Sequence, residues 1–123
     1  MELTEAEVKK GVEKYLKTLM GYGKLWYSRL NAGTFGSHHI KGAAPGTADL
    51  IVIQPGEVQM MHMVSREIHR AHPVVFVTFV ECKATKGKQS PAQKEFEAMV
   101  NNLHCRYCIV RSVDELQEVL KRE

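Results

Sequence analysis

Two apolar runs in this chain end or begin on acidic residues. Residues 74–80, Val-Val-Phe-Val-Thr-Phe-Val, lead straight into Glu81-Cys82-Lys83. Side chains alternate along a strand, so Glu81 and Lys83 share one face while Val80 and Cys82 take the other. A carboxylate and an ammonium at that point cost desolvation energy unless they are paired or engage a metal. Upstream, Gly46-Thr47-Ala48-Asp49 precedes a second apolar run, Leu50-Ile51-Val52-Ile53. If the two runs are neighbouring strands, Asp49 stands beside Glu81. Two converging carboxylates repel, and a divalent cation removes the conflict. The Cys82 backbone carbonyl adds another hard oxygen, and Lys83 is placed to hold, or help deprotonate, an attacking water. Such a set is equipped for metal-assisted hydrolysis of a phosphodiester. Taken singly, each part has a plainer reading: Glu-x-Lys as a strand emerging into water with a weak surface ion pair, Asp49 as a turn cap.

The elements that must position these groups are readable from caps and periodicity. Thr4 with Glu7 forms a capping box, and Val8, Val12, Tyr15, Leu16 and Leu19 keep the helical period until Gly21 and Gly23. Glu5 extends that apolar stripe backwards, which predicts that it faces the sheet, either as a third acid or as a carboxylate held by the helix dipole. A short strand is expected over 25–30 and another over 50–53, the latter ended by Pro55-Gly56. Residues 57–72 read either as a helix, from Val58, Met61, Val64 and Ile68, or as a hairpin arm. From Pro73 a central strand covered on both faces is expected. Ser90-Pro91 opens a helix whose buried face is Phe96, Met99, Val100 and Leu103. A strand over 105–110 and a last helix, capped by Ser112 with Glu115, complete the order. The prediction is an α/β fold, a mixed β-sheet flanked by helices with an α-β-β-β-α-β-α core.

Composition sets the outer bounds. The chain has 123 residues, 44% hydrophobic and 25% charged, which fits one globular domain and excludes intrinsic disorder. No run approaches a membrane span, and the opening Met-Glu-Leu-Thr-Glu lacks a signal-peptide core, so a cytoplasmic, intracellular protein is expected. Three cysteines argue against a secreted disulfide scaffold. Cys105-x-x-Cys108 lies in a predicted strand, where residues three apart point to opposite faces, so a reduced structural role is expected. Net charge is +3. In residues 1–20 the four glutamates and four lysines cancel. Residues 21–48 contain no acid but carry Lys24, Arg29, His38, His39 and Lys41 among six of the nine glycines. That stretch suits close approach of a phosphodiester backbone, and equally an ordinary surface loop.

Asp49, Glu81-Cys82-Lys83, the upstream Glu5-x-x-Val8, Arg29-Leu30-Asn31, Ser90-Pro91-x-Gln93 and Val110-x-Ser112 together resemble the PD-(D/E)xK nuclease superfamily, and within it the VRR-NUC (virus-type replication and repair nuclease) family. The likeness covers nearly the whole chain except an insert at about 54–72, and Ala48 stands where that family usually has proline. The resemblance implies a restriction-endonuclease-like fold and a Mg²⁺- or Mn²⁺-dependent DNA endonuclease, with Asp49 and Glu81 as ligands. It implies that Lys83 positions the attacking water and that Glu5 and Gln93 complete the pocket. It also implies DNA contacts from the Lys86 and Lys88 loop, and a phage-type homodimer that resolves four-way junctions. Flap or nicking cleavage, or a non-catalytic nucleic-acid-binding module, are the alternatives. Met60, Met61 and Met63 suit either a subunit interface or a satellite core.

Overall fold

In a computed structural model, which describes residues 2–30, 34–35, 38–39, 44–61 and 68–121, the chain forms an α/β fold. Helix α1 (Glu5–Gly21) is followed by strand β1 (Trp26–Arg29) and two short strands, β2 (Thr34–Phe35) and β3 (His38–His39). Strands β4 (Leu50–Met61) and β5 (Ile68–Cys82), helix α2 (Pro91–Asn102), strand β6 (Arg106–Val110) and helix α3 (Val113–Lys121) complete it. The main sheet has the order β1-β4-β5-β6. Its first two pairings are antiparallel and β5-β6 is parallel, so the sheet is mixed as expected.

One face of the sheet carries the core. Val8, Val12 and Leu16 of α1 and Leu116 and Leu120 of α3 pack on Leu50, Val52, Val80, Cys82 and Val110. The period of four along α1 and of two along each strand is what puts these residues on one surface. On the other face α2 packs through Phe96, whose ring meets Phe79 edge-on at 5.3 Å. Met99 and Leu103, predicted to be buried with it, are 49% and 65% exposed. Helix α2 rides over β6, the edge strand, so its outer flank overhangs the sheet.

The hairpin departs from the sequence reading at two points and decides between two readings at a third. Pro55-Gly56 does not end its strand. Pro55 pairs with Val75 and Gly56 with Val74, and the strand continues to Met61. Beyond Ile53 β4 has no β1 neighbour, so a residue without an N–H is tolerated. A Cβ at Gly56 would run into the Phe76 ring, which covers the glycine. Arg106 in turn stacks on Phe76 at 5.0 Å and donates to Gln54 Oε1 at 2.7 Å and Thr78 Oγ1 at 2.9 Å. Second, of the helix and the hairpin arm open for 57–72, the described part takes the hairpin arm, and the insert is largely the outer arm of β4 and β5. Its tip, with Val64 and Met63, lies outside the described residues. Third, β5 is covered on both faces only near its end, where Thr78, Val80, Glu81 and Cys82 are buried. Val75 is 65% exposed, because β6 pairs with β5 only from Thr78 onward. The loop expected after β1 also holds a small antiparallel pair, β2 with β3.

Among the described residues no helix is long and apolar enough to cross a membrane.

Candidate active site

The antiparallel register of β4 and β5 sets Leu50 opposite Val80, so the residues just outside that pair, Asp49 and Glu81, meet at one end of the sheet. Asp49 is 8% exposed and Glu81 2%. Asp49 Oδ2 accepts the Cys82 backbone N–H at 2.8 Å, which fixes the carboxylate against the end of β5. Lys83, 8% exposed, follows immediately, its own N–H donating to the Val110 carbonyl at 3.0 Å, and its ammonium makes no ion pair with any described residue.

The loop before Asp49 is shaped for this position. Ala44-Pro45-Gly46-Thr47 is a tight turn in which the Ala44 carbonyl accepts the Thr47 N–H at 3.2 Å and the Thr47 hydroxyl at 2.6 Å. Gly46 has φ +88°, and a Cβ there would collide with the Ala92 carbonyl. Proline second and a left-handed glycine third is the signature of a type II turn. The loop thus sits directly on the first turn of α2.

That turn supplies Gln93. Ser90 caps α2, its hydroxyl accepting the Gln93 N–H at 3.2 Å, while Gln93 Oε1 accepts the Ser90 N–H at 2.8 Å. The other end of the same amide, Nε2, donates to Glu81 Oε2 at 3.2 Å. Glu81 Oε1 is buried and finds no donor among the described residues. Burial, and then the Asp49 charge and a hydrogen bond with it, push the Glu81 carboxyl up to about 8, with Lys83 opposing and Glu5 adding slightly. Two buried carboxyls side by side require either a shared proton or a cation.

Glu5 lies on the α1 side of this pair, but not as expected. It is not buried against the sheet: its side chain is 45% exposed and it binds Lys9 at 3.2 Å, though its charge still reaches Glu81. Lys9 spans the gap, its ammonium 3.3 Å from Asp49 Oδ1. Burial disfavours the Lys9 charge, yet Asp49 and Glu5 together outweigh it, and its pKa is raised. Sequence reading had assigned Lys9 only to the balance of charge in α1. The signal available was its i, i+4 spacing from Glu5, which names one partner and not the second. A clasp holds α1 in place: Leu3 N donates to Thr85 Oγ1 at 2.8 Å, and Thr85 N to the Leu3 carbonyl at 3.1 Å.

The donor set fits a hard divalent ion: two carboxylates, one with an orphaned buried oxygen, beside further backbone oxygen. Among the described residues no three His, Cys, Asp or Glu side chains gather as a metal cluster. One or two carboxylates completed by water and substrate oxygens is the arrangement magnesium favours.

The other candidates are spread out. Lys86 and Lys88 are exposed in the loop after β5, and Lys86 pairs with Glu2 at 2.8 Å. His38 and His39 form β3, and Lys41 lies outside the described residues. All three cysteines are free, and burial pushes the thiols of Cys82 and Cys108 up to about 12, which disfavours the reactive thiolate of both.

No protein-family model matches the chain, and no curated protein and no solved structure matches it.

Proposed function

We propose that this chain is a Mg²⁺- or Mn²⁺-dependent endonuclease of the VRR-NUC type, with a restriction-endonuclease-like fold, acting on branched DNA and on four-way junctions above all. The observation that carries the reading is the buried pair Asp49 and Glu81, with one Glu81 oxygen lacking a donor among the described residues and Lys83 adjoining. Carboxylates in that state are expensive to keep without a cation, and the lysine beside them makes no ion pair with any described residue, its charge acting on Glu81 from a distance. Asp49, Glu81 and the Cys82 carbonyl would hold the ion, which when bound supplies Lewis-acid charge to a phosphodiester. Lys83 orients the attacking water and offsets negative charge that develops on the phosphate. Gln93 holds Glu81 in the orientation its role requires. Glu5, through Lys9, keeps Asp49 directed toward the site. A homodimer would suit a four-way junction, since two symmetric cuts need two sites related by a two-fold axis.

The test is cleavage of labelled four-way junction, flap and linear duplex in Mg²⁺, Mn²⁺ or EDTA, with Asp49→Asn alongside. Paired symmetric cuts on the junction are expected, lost in EDTA and in the variant while DNA binding persists. Turnover by Asp49→Asn would remove the site from the reading, and cleavage of flaps alone would overturn the junction substrate.

A further inference from the structure

The acids of α1 and its neighbourhood are consumed locally, which changes what its lysines mean. Glu7 closes the Thr4 capping box, Glu5 is held by Lys9, and Glu2 pairs with Lys86. Glu13 is bound by Arg29, whose Nε donates to Oε1 at 2.8 Å and Oε2 at 3.0 Å. Lys10, Lys14 and Lys17 are left exposed, with no ion pair to any described residue. They stand at i, i+4 and i+7, on one helical face about 10 Å long. The even balance of charge that the sequence shows is therefore segregated in space.

These lysines do not decorate a convex surface. With Lys9 and Arg29 they border a cleft of about 650 Å³ between α1 and β1 that also reaches Asp49. A second hollow of about 490 Å³ shares Glu13, Lys17 and Arg29 with the first and continues toward Met20 and Tyr27. The two make a trough longer than a single phosphate requires, cationic along one wall and ending at the candidate catalytic carboxylate. A cleft in which one sign of charge predominates, five cations here against Glu13 and Asp49, concentrates counter-charged ligands, and a row of spaced cations matches a ligand with repeating charge.

We propose that the α1–β1 trough is the track on which a DNA strand lies, its phosphates over Lys10, Lys14 and Lys17, leading the backbone to Asp49. The direction of the track rests on the nuclease reading, while the binding itself does not. Lys10, Lys14 and Lys17 are phosphate contacts rather than catalytic residues, and the contact is indifferent to base sequence.

The experiment is fluorescence anisotropy of a labelled duplex in EDTA, so that nothing is cut, across a salt titration. Wild type is compared with the triple variant Lys10→Gln, Lys14→Gln, Lys17→Gln, its fold checked by circular dichroism. Lys121→Gln on α3 serves as the charge control. Each lost phosphate contact lowers the slope of log affinity against log salt by about 0.9, so the triple variant should lose about 2–3 in slope and about tenfold or more in affinity. The control should bind within about twofold of wild type, as expected for one exposed and ion-paired cation. A folded triple variant with unchanged affinity and slope would overturn the track. If the triple variant loses binding and wild type still cuts no DNA in any metal, the track stands and the nuclease reading falls. If it cuts and binds as wild type does, the reverse holds.

Discussion

Helices α1 and α2 begin with the same device and use it differently. Each opens on a capping box: Thr4 with Glu7 in one, Ser90 with Gln93 in the other. In α1 the third residue is a carboxylate, which accepts from the Thr4 N–H at 2.9 Å, and that bond lowers its pKa. It faces water and does nothing else. In α2 the third residue is an amide, whose oxygen closes the box while its nitrogen donates to Glu81. A glutamate could close the second box equally well, but it would bring a further negative charge against two buried carboxyls. The difference teaches that residue choice at a cap records what lies beyond the helix, once the helix's own needs are met by either chemistry.

Exchanging the two boxes should break the symmetry in one direction only. Gln93→Glu keeps the cap, removes the donor to Glu81 and adds repulsion, so DNA cleavage should fall about 10–100-fold. Glu7→Gln should leave cleavage within about twofold, and steady-state kinetics on the two variants would show the contrast.

The carboxyl that Gln93 serves gives the next largest effect. Glu81 is held up to about 8 when folded, against 4.5 when exposed, so the folded metal-free chain binds more protons through that window. Its contribution to stability is complete below about 4.5 and is lost as pH climbs through about 8. Glu81→Gln should remove that slope and leave the metal-free protein about 1–3 kcal/mol more stable than wild type on the alkaline side, read by denaturant unfolding at several pH values. No comparable dependence is expected from Glu7→Gln.

The smallest effect sharpens the comparison most. Ser90→Ala and Thr4→Ala should each cost about 1 kcal/mol of stability, as a lost cap does. The first should also slow cleavage severalfold, because Gln93 loses its anchor, whereas the second should not. Equal kinetic effects from both would show that the α2 box is only a cap.

How much of this could be read beforehand depends on the range over which each interaction acts. The α1 box was legible because Ser/Thr-x-x-Glu/Gln is a local code, whereas at α2 the sequence reading took Ser90 and Pro91 as the start and gave Gln93 to the pocket by resemblance alone. The meeting of Asp49 and Glu81 was legible because each borders an apolar run, and antiparallel pairing of those runs brings their outer ends together. The persistence of β4 through Pro55-Gly56 was not, since it depends on Phe76 covering the glycine from the facing strand, with Arg106 stacked above. Lys9 escaped for a related reason: a helix-surface pattern pairs it with Glu5, and only the fold adds Asp49. The overhang of Met99 and Leu103 reflects where the sheet stops, which periodicity along α2 does not encode.

The seat of Gly46 against Ala92 has a consequence for how the site comes into being. It locks the turn before Asp49 onto the helix that carries Gln93, so the two halves of the constellation are built by contacts between distant parts of the chain. Contacts of long sequence separation form late, after the loop-closure entropy has been met. A half-folded chain would expose its lysines to nucleic acid while its carboxylates were still apart. The full constellation is thereby withheld until α2 has docked on the turn before Asp49, and it becomes a property of the native state alone.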